Sequence, residues 1–299
     1  GSILHLDQAQ GNISKIVYQS DLPVELADIS SGSLDVALVY PDGHLKVIPS
    51  TENRRELDIA SDGQVTHVAI SSDGTRVATV EDWRNLVFRN TRTGNRVGRQ
   101  IFLPDPVAVI EFGDRGHSLA VGLSQGGGLL CGGRSGELLR HYEDAHLSYH
   151  DVEISADQRV IAFASPGGPI AIWDLNSGHR LDHGQFHHLT RANGIRLSPN
   201  GRRAVSFDAS GKAKIWKLDS MEPGPELSHI DYVSHAAFSS DGKKVVTASH
   251  DRMVRVWDVE TGRALTSAMA HTSGLERVSF GASDETVCAL CYDGTVWKW

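Results

Sequence analysis

Residues 229–258 read HIDYVSHAAFSSDGKKVVTASHDRMVRVWD, and this stretch decides the fold. Short runs of alternating apolar and polar residues are separated by turn signals such as Ser239-Ser240-Asp241-Gly242. This is the pattern of an antiparallel β-meander with tight turns. Continued to a second turn at Thr261-Gly262, the pattern predicts four strands, at residues 232–239, 244–249, 253–259 and 263–269.

The position of Trp257 returns every 41 to 43 residues along the chain. Its equivalents are Ile48, Arg89, Cys131, Trp173, Trp216 and Trp299. A period of this size indicates a repeat array in which no unit buries its own apolar face. We therefore predict an all-β chain of seven four-stranded antiparallel blades, at about residues 22–57, 58–99, 104–140, 146–182, 187–227, 229–266 and 271–299.

Two of the repeats carry a Trp-Asp dipeptide, in Ile172-Trp173-Asp174 and Val256-Trp257-Asp258. On these motifs and the period, the chain resembles the WD40 family from end to end. The resemblance implies a seven-bladed β-propeller that forms one domain, residues 1–299. It also implies a hydrogen-bond chain in each blade, which joins a His before the first strand, a Ser or Thr in the second, an Asp in the following turn and the Trp.

The repeats match this implied chain to different degrees. The sixth has all four members, His229, Thr247, Asp251 and Trp257. The fifth has Ser210 where the Asp is expected, beside His188, Ser206 and Trp216. The seventh has Ala289 in place of Ser or Thr, beside His271, Asp293 and Trp299. We expect weaker tethers in these two repeats. In the second repeat Thr79 lies near Asp82, and Arg89 occupies the Trp position.

The last repeat ends after three strands, and an open sheet edge invites pairing. Residues 13–19 have the phase of a fourth strand, so they are predicted to complete the blade of 271–299. Residues 3–7 also read as a third strand, for which a closed ring of seven blades has no place.

The composition of the chain argues against some classes of function. Hydrophobic residues make up 40% and charged residues 22%, with a formal charge of -8 and a pI of about 6.0. There is no basic stripe and no long apolar run, so neither a nucleic-acid partner nor a membrane span is expected. Three scattered cysteines fit a reducing compartment, and we expect the cytoplasm. Gly1-Ser2 reads as a cloning remnant, which suggests a segment cut from a longer protein.

Several apparent motifs favour structure over chemistry. Gly122-Leu123-Ser124-Gln125-Gly126 matches a nucleophile elbow but falls between two predicted strands, where that motif does not work. Cys288 and Cys291 have a C-x-x-C spacing, yet on a strand they point to opposite faces and read as core thiols. Asn12-Ile13-Ser14 is a chance glycosylation sequon. Seven histidines crowd one stretch, and a pH-responsive loop surface is favoured over a metal site there: His141, His146, His150, His179, His183, His187 and His188. No cofactor or metal is predicted.

The resemblance implies that a partner binds loops at one edge of the blades, before the first strand and after the second. The residues at those positions are Tyr232, Ser234, His250, Glu276, Tyr292, Arg191, Asn193, His150, Asp82 and Glu25. Aromatic and Arg side chains dominate binding energies, so the expected hot spot is Tyr232, Tyr292, Arg191 and His250. The alternative is that these are ordinary surface residues.

We expect a non-enzymatic protein- or peptide-binding scaffold, monomeric in isolation, which serves as the sensor or scaffold domain of a larger signalling protein. The alternative is a propeller enzyme with a metal or polar site in the central channel. A third possibility is a structural repeat that self-associates through an edge near residues 1–20.

Overall fold

The computed structural model describes residues 2–6, 13–19, 24–30, 33, 35–50, 53–113, 116–145, 148–182, 186–281, 283–293 and 295–299. These residues form strands and turns, and none of their segments is a helix of the length and apolar character that crosses a membrane. The chain forms two compact units, residues 1–148 (unit 1) and 149–299 (unit 2). The assignment of 1–299 to one domain stays a prediction.

Unit 1 has a two-stranded hairpin and three four-stranded antiparallel sheets. The hairpin is β1 (Ser2–Leu6) and β2 (Ile13–Gln19). Sheet 1 is β3 (Leu26–Ile29), β4 (Val36–Val39), β5 (Leu45–Ile48) and β6 (Leu57–Ile59). Sheet 2 is β7 (Val65–Ile70), β8 (Arg76–Glu81), β9 (Asn85–Asn90) and β10 (Arg96–Phe102). Sheet 3 is β11 (Val107–Phe112), β12 (Ser118–Leu123), β13 (Gly126–Gly132) and β14 (Leu138–Ala145).

Unit 2 has four antiparallel sheets. Sheet 4 is β15 (Asp151–Ile154), β16 (Val160–Ala164) and β17 (Ile170–Asp174). Sheet 5 is β18 (Ala192–Leu197), β19 (Arg203–Asp208), β20 (Lys212–Lys217) and β21 (Glu222–Ser228). Sheet 6 is β22 (Val233–Phe238), β23 (Lys244–Ser249), β24 (Met253–Asp258) and β25 (Met269–Ala270). Sheet 7 is β26 (Leu275–Phe280), β27 (Val287–Cys291) and β28 (Val296–Lys298). The prediction of an all-β chain with seven antiparallel blades is confirmed.

The turn between β22 and β23 shows how the sequence sets local structure. The Ser239 hydroxyl donates to Asp241 Oδ1 at 2.7 Å, and the Gly242 amide donates to the Ser239 carbonyl at 2.9 Å. Gly242 has a φ of 70°, which side chains disfavour and glycine adopts freely. The Lys244 amide then donates to Ser239 Oγ at 2.9 Å and begins the second strand. Equivalent Ser side chains do the same in sheets 2 and 5.

The apolar cores lie between neighbouring sheets of one unit. In unit 2, Val246 and Val254 of sheet 6 share a buried cluster with Leu275 and Val278 of sheet 7. Other clusters join sheets 5 and 6, and sheets 4 and 5. In unit 1, clusters join sheets 1 and 2, and sheets 2 and 3. Each blade therefore buries its apolar face against a neighbour, as the repeat predicts.

The fourth strand of sheet 6 is shorter than predicted, and the outer edge of sheet 4 is irregular. In sheet 6, residues 263–269 were expected to form a strand, whereas β25 covers Met269–Ala270 and an isolated bridge joins Trp257 to Ala264. Residues 263–268 are exposed, so no burial reinforces their ladder. Sheet 4 has three strands in the part that the structure describes, and isolated bridges Trp173–Arg180 and Pro169–His187 occupy its outer edge.

The N-terminal strands pair with each other. Ile13–Gln19 lies antiparallel to Ser2–Leu6, with Ser2 opposite Gln19 and Leu6 opposite Ile13. Both segments are strands as predicted, but this pairing was not foreseen for Ile13–Gln19. Two strands joined by a short connection pair at a low entropic cost, which favours the hairpin. Sheet 7 shows three strands over its described residues, and its completion by residues 13–19 stays a prediction.

Candidate functional site

Strand direction decides which loops share an edge of a blade. In a four-stranded antiparallel meander, the loop that enters the first strand and the loop between the second and third strands lie at the same edge. We call this the upper edge of each sheet. The ten predicted partner-binding residues all lie in these loops or within two residues of them.

Three of these residues form an aromatic cluster in unit 2, which we call the upper aromatic cluster: Tyr232, His250 and Tyr292. Tyr232 precedes β22, His250 follows β23 in the same sheet, and Tyr292 follows β27 in the neighbouring sheet 7. The His250 ring lies between the other two, with centroid distances of 4.5 Å to Tyr232 and 5.1 Å to Tyr292. His250 Nε2 and the Tyr292 hydroxyl are 3.2 Å apart, within hydrogen-bond distance.

Backbone contacts hold the cluster in place. The His250 amide donates to the Tyr232 carbonyl and the Tyr292 amide donates to the Gly274 carbonyl, both at 2.9 Å. A Cβ at Gly274 would lie 3.4 Å from Tyr292 Cδ2, so the ring packs against this backbone. Tyr292 is nevertheless 55% exposed. Its pKa is raised, first by burial and then by the neighbouring Tyr232 and Glu276.

Sequence reasoning missed two exposed apolar residues at the same edge. Leu189 is 92% exposed and Ile230 is 89% exposed. Each directly follows the His that begins the hydrogen-bond chain of its repeat, His188 or His229. That shared position, rather than any motif, is the signal that could have found them. Several exposed apolar side chains at one edge are typical of an interaction surface.

A second group of predicted residues surrounds His150. Asn193 Nδ2 donates to the Val233 carbonyl at 3.1 Å, which ties sheet 5 to sheet 6. Asn193 Oδ1 is buried with no hydrogen-bond partner among the described residues, and the His150 ring is buried beside the backbone of Asn193 and Ala164. Burial lowers the pKa of His150, and the charge of Arg191 lowers it further, against an opposing effect of Asp151. Arg191 therefore acts on His150, whereas the prediction grouped it with the tyrosines.

The other predicted residues have separate surroundings. Ser234 donates its hydroxyl to the Ala248 carbonyl at 3.1 Å inside sheet 6, and Glu276 is exposed on β26. In unit 1, Asp82 is exposed and its carboxylate accepts the Gln64 amide at 3.0 Å, and Glu25 is exposed before β3. Asp82 and Glu25 both belong to unit 1.

Unit 1 has an exposed aromatic residue that sequence reasoning also missed. Trp83 is 54% exposed, and its ring centroid lies 6.0 Å from that of His67. Asp82 and Trp83 have φ values of 50° and 67°, which are uncommon for residues other than glycine. The left-handed turn holds the Trp83 side chain at the upper edge of sheet 2.

Sheet 6 contains the whole hydrogen-bond chain that the resemblance implied. His229 Nδ1 lies 2.9 Å from Asp251 Oδ2, and His229 Nε2 lies 2.7 Å from Thr247 Oγ1. Trp257 Nε1 donates to the same hydroxyl at 2.8 Å. With Nδ1 protonated, every donor in the chain meets an acceptor. Burial lowers the pKa of His229 despite the opposing charge of Asp251.

Sheet 5 has a carboxylate in its chain that the sequence analysis did not find. His188 Nε2 and Trp216 Nε1 reach Ser206 Oγ at 2.6 and 2.7 Å. His188 Nδ1 lies 2.9 Å from Asp208 Oδ2, so Asp208 supplies the charge expected at Ser210. The Ser210 hydroxyl donates to Asp208 at 2.8 Å. This tether is therefore complete rather than weakened.

Sheet 7 forms a shorter chain because Ala289 has no hydroxyl. Trp299 Nε1 donates directly to His271 Nε2 at 3.2 Å, and His271 Nδ1 lies 3.0 Å from the Met269 carbonyl. The carboxylate of Asp293 accepts the Thr295 amide at 3.0 Å in the turn. Asp293 therefore does not take the predicted role, since both nitrogens of His271 are engaged by other groups.

The motifs that suggested chemistry have structural surroundings. Ser124 lies in the tight turn between β12 and β13 and donates to the Pro106 carbonyl at 2.9 Å. Cys291 is buried and Cys288 is half-buried, both as free thiols. No three His, Cys, Asp or Glu side chains gather as a metal site in the ranges that the structure covers. His146, His183, Asn12 and Asp7 lie outside those ranges.

Seven antiparallel sheets, three of which contain a His-to-Trp hydrogen-bond chain, define a repeat protein built from β-propeller blades. A family model described as WD40, the WD domain or G-beta repeat, matches residues 223–258. Residues 223–258 thus form a WD40 repeat, and the seven blades of the chain are consistent with the WD40-repeat family.

Similar proteins come from several organisms. Periodic tryptophan protein 2 of Saccharomyces cerevisiae is 38% identical over 192 residues, which cover 55% of this chain and 20% of that protein. Autophagy-related protein 16 of Arabidopsis thaliana is 23% identical, with 51% of this chain and 30% of that protein covered. Protein HIR1 of Gibberella zeae is 24% identical, with 52% and 17% covered. This chain thus matches less than a third of the length of each of these relatives.

Proposed function

We propose that this protein is a non-enzymatic scaffold that binds a protein or peptide at the upper edge of unit 2. One observation carries the proposal: Tyr232, His250 and Tyr292 form one cluster in which His250 and Tyr292 are exposed and Tyr232 is half-buried. Ile230 and Leu189 are exposed at the same edge. Aromatic side chains held by a rigid backbone supply large contact areas at a low entropic cost. The WD40 repeat at residues 223–258 supports it, because propellers of that family serve as interaction scaffolds.

The polar groups at this edge also favour a binding role. His188, His229, Asp208 and Asp251 are engaged in hydrogen-bond chains that hold the loops. The residues used for structure and those left exposed are thus different sets, so the exposed set can vary without loss of the fold. We infer that the protein is a monomer in isolation and acts in the cytoplasm, as a sensor or scaffold domain of a larger signalling protein.

Affinity capture from native lysate tests the proposal. A Tyr232→Ala/Tyr292→Ala variant should lose specific partners while its thermal unfolding stays unchanged, since neither ring belongs to the buried core. The matched control is Leu265→Ala, because Leu265 is 49% exposed in the same unit but lies beyond the turn at the opposite edge. If the tyrosine variant captures the same proteins as the wild type, the upper edge is not the binding surface.

A further inference from the structure

We propose that the upper aromatic cluster, together with the carboxylates of Glu276 and Asp231, receives an arginine side chain of a basic segment in the partner. This inference rests on the proposed function, and it names the chemistry of the partner.

The aromatic rings provide one half of such a site. A cation is attracted to a Tyr face when it lies within about 6 Å of the ring centroid, and a planar guanidinium also stacks on the ring. Tyr292 is more than half exposed and is fixed from behind by the Gly274 backbone. The Tyr292 hydroxyl is oriented by His250, which is itself packed against Tyr232. The rings are therefore in place before a ligand arrives.

Two carboxylates provide the other half. Glu276 is exposed on β26, two residues after Gly274, whose carbonyl accepts the Tyr292 amide. Its charge also raises the pKa of Tyr292. Asp231 is exposed beside Tyr232, and its Oδ1 accepts the Tyr232 amide at 2.7 Å. Within the described residues neither carboxylate has a cation in an ion pair. Two acidic groups without a counter-charge beside aromatic rings favour a cationic ligand.

Two nearby arginines of the protein act on histidines instead. Arg277 follows Glu276 on the same strand, across a register shift between Leu275 and Arg277. It lies close enough to His235 to lower the pKa of that ring, after burial and Arg196. Arg191 similarly acts on His150. The formal charge of -8 further favours a basic partner.

The geometry favours arginine over lysine. A guanidinium can stack on an aromatic ring and still donate two parallel N–H bonds to a carboxylate. An ammonium is a strongly hydrated point charge and gains less from the flat face of Tyr292. An anionic or phosphorylated segment would be repelled by Glu276 and Asp231.

An NMR titration of ring-labelled tyrosine tests this inference. The probe is the capped peptide acetyl-Gly-Arg-Gly-amide, compared with the same peptide carrying Lys or the neutral isostere citrulline, each up to about 10 mM, well above a millimolar Kd. The Arg peptide should shift the ring signals of Tyr232 and Tyr292. The Lys peptide should bind several-fold more weakly, and the citrulline peptide should leave the signals unchanged.

Glu276→Gln should weaken the Arg peptide about fivefold, a loss typical of one partly exposed charge pair. The matched control is Glu285→Gln, because Glu285 is an exposed carboxylate of sheet 7 in the turn at its opposite edge. Equal binding of the Arg and citrulline peptides, no shift at the highest concentration, or an unchanged Kd in Glu276→Gln would each overturn the assignment. If the peptide fails while capture still depends on Tyr232 and Tyr292, only the arginine chemistry is wrong, and protein binding stands.

Discussion

Sheets 2 and 6 anchor the same position of their second strand by different chemistry. In sheet 6, Thr247 joins an imidazole and an indole, and Asp251 completes the chain from the following turn. In sheet 2, the Arg89 guanidinium takes the place of the indole. It donates to Thr79 Oγ1 at 2.8 Å and to Glu81 Oε1 at 2.7 Å.

The difference lies in where the carboxylate stands. Glu81 is two residues after Thr79, whereas Asp251 is four residues after Thr247. The position that Asp251 occupies in sheet 6 is therefore taken by Trp83 in sheet 2, where the side chain is exposed. Sheet 5 is intermediate, with Asp208 two residues after Ser206 and Ser210 at the later position. Moving the carboxylate within the strand thus releases an upper-edge position for a different side chain.

Among the substitutions that test this difference between sheets, Arg89→Met should cause the largest loss of stability. Arg89 and Glu81 are 3% and 2% exposed, so the substitution leaves a buried carboxylate without its counter-charge. We expect a loss of about 3–5 kcal/mol in the free energy of unfolding, measured by urea denaturation. Adding Glu81→Gln in the same chain should recover much of the loss. A loss below about 1 kcal/mol would show that the ion pair does not hold sheet 2.

Trp257→Ala should destabilise sheet 6 by about 3 kcal/mol, because it removes a buried aromatic ring and leaves Thr247 without its donor. Trp257→Phe separates the two contributions, since it keeps most of the packing and loses only the hydrogen bond. Trp297→Ala serves as a control, because Trp297 is partly exposed at the edge strand of sheet 7. If Trp257→Ala and Trp297→Ala lose the same free energy of unfolding, the hydrogen-bond chain of sheet 6 makes no particular contribution to stability.

Asp208→Asn and Ser210→Ala together test whether the carboxylate has moved in sheet 5. Asp208 makes a charge-assisted hydrogen bond to a buried imidazole, so Asp208→Asn should cost about 1–3 kcal/mol. Ser210→Ala should cost less than about 0.5 kcal/mol, as is usual for a peripheral substitution. Circular dichroism melts of both variants give the answer. If Ser210→Ala costs more than Asp208→Asn, then Ser210 rather than Asp208 anchors the hydrogen-bond chain of sheet 5, as the repeat phase predicts.

The pH dependence of stability should be smaller and should follow the buried histidines. In the folded state, burial lowers the pKa of His188, His229 and His271 in the hydrogen-bond chains, and also that of the other buried histidines, His67, His150 and His235. Below the ordinary His value of about 6.5, the unfolded chain therefore binds protons that the folded chain does not, and stability falls as the pH decreases. Melting temperatures should decline between pH 7.5 and 5, and His188→Gln/His229→Gln should flatten that decline. An equally steep decline in the variant would assign the pH effect to other groups.

The fold follows closely from the sequence because its signals are local. The Ser239 to Gly242 turn and its equivalents fix where strands begin, and the period fixes how many blades there are. The outer residues 263–268 departed from prediction because exposed strand positions lack the burial that enforces a ladder. The pairing of β1 with β2 depends on which neighbour is available, and strand pattern alone does not contain that information.

The site was only partly predictable for a different physical reason. Phase placed Tyr232, His250 and Tyr292 at one edge, and their contact follows from the neighbouring positions of sheets 6 and 7. The repeat phase did not identify Asp208, because this carboxylate lies two residues before the expected position, Ser210, and still reaches the His188 imidazole. It also did not show that Ile230 is exposed, because exposure depends on the folded neighbours rather than on the residue type.

Photo-crosslinking tests the central claim most directly, namely that the upper aromatic cluster contacts a partner while the buried chains hold the blades. A benzophenone amino acid is placed at position 230, exposed at the same edge, in one sample and at position 265 in another. Both are irradiated in native lysate with and without the capped Arg peptide. We expect a discrete protein adduct at position 230 that the peptide suppresses, and no such adduct at position 265. Equal labelling at both positions, or an adduct at 265 alone, would contradict this claim.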